Sequence, residues 1–101
     1  MIIPDSVRIA GVEYRVVFVP DLNDGINLLY GEIDYGKCII EISSTSCESE
    51  HVKCITFLHE ILHAIRKNSG IEIENEEQVL DMFAMGLYQI LQDNSRMFEN
   101  K

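Results

Sequence analysis

The sequence predicts an α+β domain in which a small, mainly antiparallel sheet of three to four strands packs on two principal helices. Three observations carry that expectation. The first half of the chain alternates apolar and polar residues between turn signals, the period of half-buried strands. The second half holds two long segments whose apolar residues recur at helical spacing. The chain has only 101 residues, with no internal repeat, low-complexity segment or linker, so one domain over 1–101 is expected.

Val7–Ala10 reads as a short strand and Val12–Val19 as a longer one, with Ala10-Gly11 as the turn between them. Val12, Tyr14, Val16 and Phe18 share one face of the second strand. Pro20 and the run from Asp21 to Gly25 break the alternation and form a loop. Leu28–Asp34 and Lys37–Ser43 form a second hairpin around Tyr35-Gly36. Thr45 is the expected N-cap of the first helix, with Glu48 completing a capping box, and the helix runs from about Cys47 to Asn68. Its apolar stripe contains Ile55, Leu58, Leu62 and Ile65, and Gly70 closes it. Asn75 is the expected cap of the second helix, with Gln78 as its box partner. Val79, Leu80, Phe83, Leu87, Ile90 and Leu91 form its expected buried stripe, and Ala84 and Gly86 leave room for a close neighbour. The polar tail from Asp93 to Lys101 is expected to fray.

Composition narrows the function. The net charge of −9 offers no basic stripe to phosphates, which argues against nucleic acid and against an anionic membrane surface. The N-terminus lacks the basic and apolar regions of a signal peptide, and no run is long enough to span a bilayer, so the cytoplasm is expected. The three cysteines, Cys38, Cys47 and Cys54, are odd in number and match no disulfide framework. Cys54 lies about 140° around the helix from His59, so it reads as a buried thiol.

The chemistry concentrates in His59-Glu60-Ile61-Leu62-His63. Residues four apart share a helix face with about 6 Å of rise between them, so two imidazoles there can bind one metal ion. Glu60 stands beside them, placed to act as a general base without being a ligand. The pentapeptide arises by chance in well under roughly one chain in a hundred of this size.

A catalytic zinc takes three protein ligands and keeps one position open. The second helix begins after a short link, and an antiparallel pair returns its first turn towards the last turns of the first helix. Glu74, Glu76, Glu77 and Asp81 are the candidates for the third ligand. Glu77 is preferred because Asp81 then lies one turn deeper on the same face, where it can accept the free ring N–H of a ligating histidine. With Glu76 as ligand, the corresponding residue would be Leu80, which accepts nothing. Acidic residues are also ordinary at a helix N-terminus, where the dipole favours them.

His59-Glu60-x-x-His63 followed by Glu77-x-x-x-Asp81 resembles the gluzincin pattern of zinc metallopeptidases, and the surrounding residues are similar to small phage and prophage metallopeptidase-like proteins of the ImmA/IrrE type. The likeness covers roughly residues 28–93 in element order and is specific only at the ligand motifs. It implies a minimal zincin-like fold, one zinc ion on His59, His63 and Glu77, Glu60 as base and Asp81 supporting a histidine. Two departures stand out: the link from His63 to Glu77 is short, and no downstream His or Tyr segment is evident for an oxyanion.

The expected function is therefore hydrolysis of a peptide or protein substrate, with the strand Lys37–Ser43 offering its edge to the substrate. Tyr30, Tyr35 and His51 are candidates for oxyanion stabilisation, although each also suits a structural or surface role. His51 lies two turns before His59, too distant for a first choice as ligand. Two other functions fit the same residues: a zinc-stabilised interaction module that cleaves nothing, and a metal-free interaction protein.

Overall fold

The computed structural model describes residues 1–99. Four strands, β1 (Ser6–Ile9), β2 (Val12–Val19), β3 (Gly31–Asp34) and β4 (Ile39–Ser43), precede two helices, α1 (Glu50–Ser69) and α2 (Glu76–Asp93). The strand order is β1-β2-β4-β3. β1–β2 and β3–β4 are antiparallel hairpins, whereas β2 and β4 run parallel, with Val16 opposite Ile40 and Phe18 opposite Ile42. The sheet is thus mixed.

Burial explains this order. Ile40 and Ile42 of β4 are fully buried, which suits a strand flanked on both sides. β3 carries Gly31, Glu32 and Asp34, and charge is the usual protection of a strand edge. The segment between β2 and β3 carries the chain past the place that β4 later fills. Asp24 Oδ1 accepts from the backbone N–H groups of Ile26 and Asn27, and Thr45 Oγ1 accepts from that of Asp21. The substrate edge expected on Lys37–Ser43 is therefore corrected: β4 is internal, and β3 is the free edge on that side.

Ala10 and Gly11, at φ 51° and 81°, make the left-handed turn that matches the twist of a two-residue hairpin. One face of the sheet packs Tyr14, Val16, Ile40 and Ile42 against Phe57 and Ala64 of α1. Val12 and Phe18, at the two ends of the β2 stripe, are instead exposed.

The helix ends differ from the sequence expectation. Ser49, not Thr45, caps α1, accepting from Val52 N–H at 3.2 Å, because Thr45 is engaged in holding the loop. Gly70 closes α1 at φ 73°. Asn75 precedes α2 in a left-handed conformation, φ 55°, and its side chain makes no cap hydrogen bond, so the box with Gln78 does not form.

α2 packs on α1 and on no other strand or helix. Cys54 and Leu58 of α1 meet Ala84 and Tyr88 of α2 in a second apolar cluster, with Ile55, Leu62, Leu87 and Leu91 around it. Leu80 is also buried, but Phe83, Ile90 and Ile65 are exposed. Only Ala84 makes the close approach expected of the two small residues, since a side chain at Gly86 would meet open space. Beyond α2, Met97 N–H donates to the Asn94 carbonyl and Glu99 N–H to that of Arg96. Residues 100–101 of the expected tail lie outside the described residues. Among the described residues no helix is long and apolar enough to cross a membrane.

Candidate metal centre

α1 uses three sides at once. With about 100° between successive residues, Phe57 and Ala64 turn towards the sheet and Leu58 and Leu62 towards α2. His59 and His63 fall on the remaining side, where the first turn of α2 arrives.

The two Nε2 atoms lie 2.9 Å apart. Glu77 joins them, with one carboxylate oxygen 3.2 Å from His59 Nε2 and the other 2.7 Å from His63 Nε2. Ligand atoms of all three residues lie within 4.8 Å of one another. Tetrahedral donors at zinc bond lengths of about 2.0 Å stand roughly 3.3 Å apart. The observed spacing is close to that, and two nitrogens with one carboxylate form a donor set that zinc accepts. Without a cation, the two imidazole nitrogens facing at 2.9 Å would have to share one proton or turn an N–H each to the Glu77 carboxylate, whereas one cation engages all three groups together. The residues present therefore fit the ion.

The outer contacts are divided between two carboxylates. Asp81 Oδ1 is 3.6 Å from His59 Nδ1, facing one of the two histidines but beyond hydrogen-bond distance, and that nitrogen is buried with no hydrogen-bond partner among the described residues. Glu76 makes the firmer contact, 2.6 Å from His63 Nδ1. Arg66 Nε stands 2.8 Å from the other oxygen of Glu76. The hydrogen bond with His63, then the guanidinium of Arg66, hold the Glu76 carboxyl below the usual carboxylate range, against the desolvation that raises it. Sequence reasoning weighed Glu76 only as a ligand and missed both it and Arg66 as supports. The available signal was the position of Arg66 one turn after His63.

Glu60 points between the histidines and the sheet. It is 6 % exposed and makes no hydrogen bond or ion pair among the described residues. Burial pushes its carboxyl up to about 7, with Glu77 and Glu32 adding to the rise and His63 opposing it. β3 crosses directly beside it. A Cβ at Gly31 would lie 3.2 Å from Glu60 Oε2 and 2.5 Å from Thr56 Cγ2, so this approach requires glycine. Gly31 is the second feature that sequence reasoning missed, because its partner lies on a distant segment.

A cleft of about 800 Å³ opens onto His59, Glu60, Glu77 and Asp81 between α1, α2 and the residues leading into β3. Of the three oxyanion candidates, Tyr30 lines this cleft. Tyr35 packs edge-on against Tyr14, and His51 packs against Tyr88 at 4.7 Å between ring centroids. All three cysteines are free thiols; Cys47 and Cys54 are buried and none joins the centre.

Comparison with protein-family models, with curated proteins and with solved structures finds no match to this chain.

Proposed function

We propose that the protein is a zinc-dependent peptide hydrolase of minimal gluzincin type, similar to the ImmA/IrrE-type metallopeptidase-like proteins. The observation that carries this reading is the convergence of His59, His63 and Glu77 beside a buried carboxylate, Glu60, that has no hydrogen-bond or ion-pair partner among the described residues. A structural site would have no use for such a group, whereas a general base requires one. Bound by the three ligands, zinc would polarise a peptide carbonyl and acidify water. Glu60 takes the proton of the attacking water and delivers it to the leaving nitrogen. Glu76 and Arg66 hold the His63 ring, and Asp81 faces that of His59. The free edge of β3 can take an extended peptide by strand addition, and Gly31 brings that edge against Glu60. Free thiols fit a reducing compartment such as the cytoplasm.

A second reading has one observation in its favour. Among the strands and helices α2 packs on α1 alone, so an ion bound across the two helices would stabilise the fold without any turnover. Metal analysis with peptide digestion separates the readings. Purified wild type should carry about one zinc per chain and cleave peptides, and Glu60→Gln should keep the zinc and lose turnover. Zinc retained with no digestion by either protein would favour the structural role. Absence of zinc would remove both readings.

A further inference from the structure

The cleft beside Glu60 has two kinds of wall. Leu28, Tyr30 and Met85 are 68 %, 60 % and 54 % exposed, yet all three face this one cavity, where Val52 and Ile55 continue the apolar surface. Large apolar side chains scattered singly over a surface carry no message, but a contiguous group rimmed by polar residues marks a binding surface. The rim is acidic. Glu48 and Asp81 line the cleft together with Glu60 and Glu77, and among the described residues no lysine or arginine does so. An ion carrying two positive charges would be balanced by Glu77 and Glu60, leaving Glu48 and Asp81 to set the sign of the field. Independently, Glu60 is more than nine-tenths buried, opens on the cleft and has no partner among the described residues.

We infer that the cleft selects peptides carrying a bulky apolar side chain next to the susceptible bond and a lysine or arginine close by. The apolar residue lies against Ile55 and Met85, and the cation meets Glu48 at the rim. Acidic segments are repelled, which also protects other copies of this chain, whose net charge is −9. This inference rests on the hydrolase reading for the term "susceptible bond"; the binding preference does not.

The test uses three peptides of equal length with a central Leu-Phe, flanked by Lys, Ser or Glu. Cleavage is followed with the zinc-loaded wild type, and binding with zinc-loaded Glu60→Gln by fluorescence anisotropy. The Lys-flanked peptide should be favoured over the Glu-flanked one by about tenfold or more at low salt, the scale of electrostatic focusing in a charged cleft. The preference should shrink in concentrated salt. Glu48→Lys, a change at an exposed position, should abolish it, and Leu28→Ser should weaken binding of all three peptides. Equal use of the three peptides, or preference for Glu, overturns the inference while leaving hydrolysis intact. Selective binding without cleavage by wild type supports the inference and overturns hydrolysis. Neither binding nor cleavage of any peptide overturns both.

Discussion

Glu76 Oε2 stands 2.6 Å from Nδ1 of His63, a full ångström closer than Asp81 Oδ1 stands to Nδ1 of His59. The carboxylate preceding Glu77, rather than the one a turn beyond it, has the stronger hold on an imidazole. Loss of such a contact typically weakens metal affinity by about 10–100-fold. Glu76→Ala should fall in that range, and Asp81→Ala should have the smaller effect. Competition against a chromophoric chelator measures both, and equal losses would contradict the geometry.

Arg66 should matter through Glu76 and not through the metal. Arg66→Ala and Glu76→Ala should each weaken zinc, but the double variant should be little worse than Glu76→Ala alone. Full additivity in the same titration would show that the three groups do not act in series.

Glu60 makes a prediction about pH. Its carboxyl is raised from 4.5 to about 7 in the folded metal-free protein. The folded state then binds the extra proton between those values, so stability from this group is greatest at low pH and falls as pH rises through the window. The full effect corresponds to about 3 kcal/mol. Glu76 acts in the opposite direction, since its carboxyl is lowered and its contribution disappears as pH falls. Comparing Glu60→Gln with wild type isolates the first effect. In chelator, urea denaturation should find the variant more stable at pH 8 and the difference gone near pH 4.

Gly31 should tolerate no side chain. Gly31→Ala should cost about 1–3 kcal/mol, the usual penalty of overpacking, because its Cβ meets Thr56 Cγ2 at 2.5 Å. Adding Thr56→Ser removes that methyl and should return part of the loss in urea denaturation. No recovery would place the clash elsewhere.

These features were unequally legible in the sequence. The geometry of His59, Glu60 and His63 follows from helical pitch alone, and the short link made Glu77 a natural third member. Glu76 was not legible as a support, because neighbours on a helix point about 100° apart and only the approach of α2 to α1 decides which ring each carboxylate meets. Gly31 depends on a contact between β3 and α1 that no local pattern encodes. The central place of β4 was hidden for the same reason: alternation reveals a buried face, not which strands lie on either side. Phe83 and Ile90 were misjudged because α2 is apolar around much of its circumference, so its period did not identify the side turned to α1.

That misjudgement gives a stability test. Phe83 is 57 % exposed and Ala84 fully buried against α1. Phe83→Ala should change stability by no more than about 0.5 kcal/mol, whereas Ala84→Leu should lose about 1–3 kcal/mol. The reverse order in urea denaturation would mean that the other side of α2 faces α1.

The centre has a firm flank and a yielding one. Both histidines stand on a rod that lies across a sheet and descends from one of its inner strands, whereas Glu77 is carried by an outrigger held by that rod and, at its far end, by the Met1 amino group on Gln92. Any excursion of the outrigger withdraws Glu77 and, with it, the Glu76 carboxylate that stands against the His63 ring. A cation held here would arrive and depart through that side, and its residence time would report how tightly Ala84 and Tyr88 keep the outrigger seated.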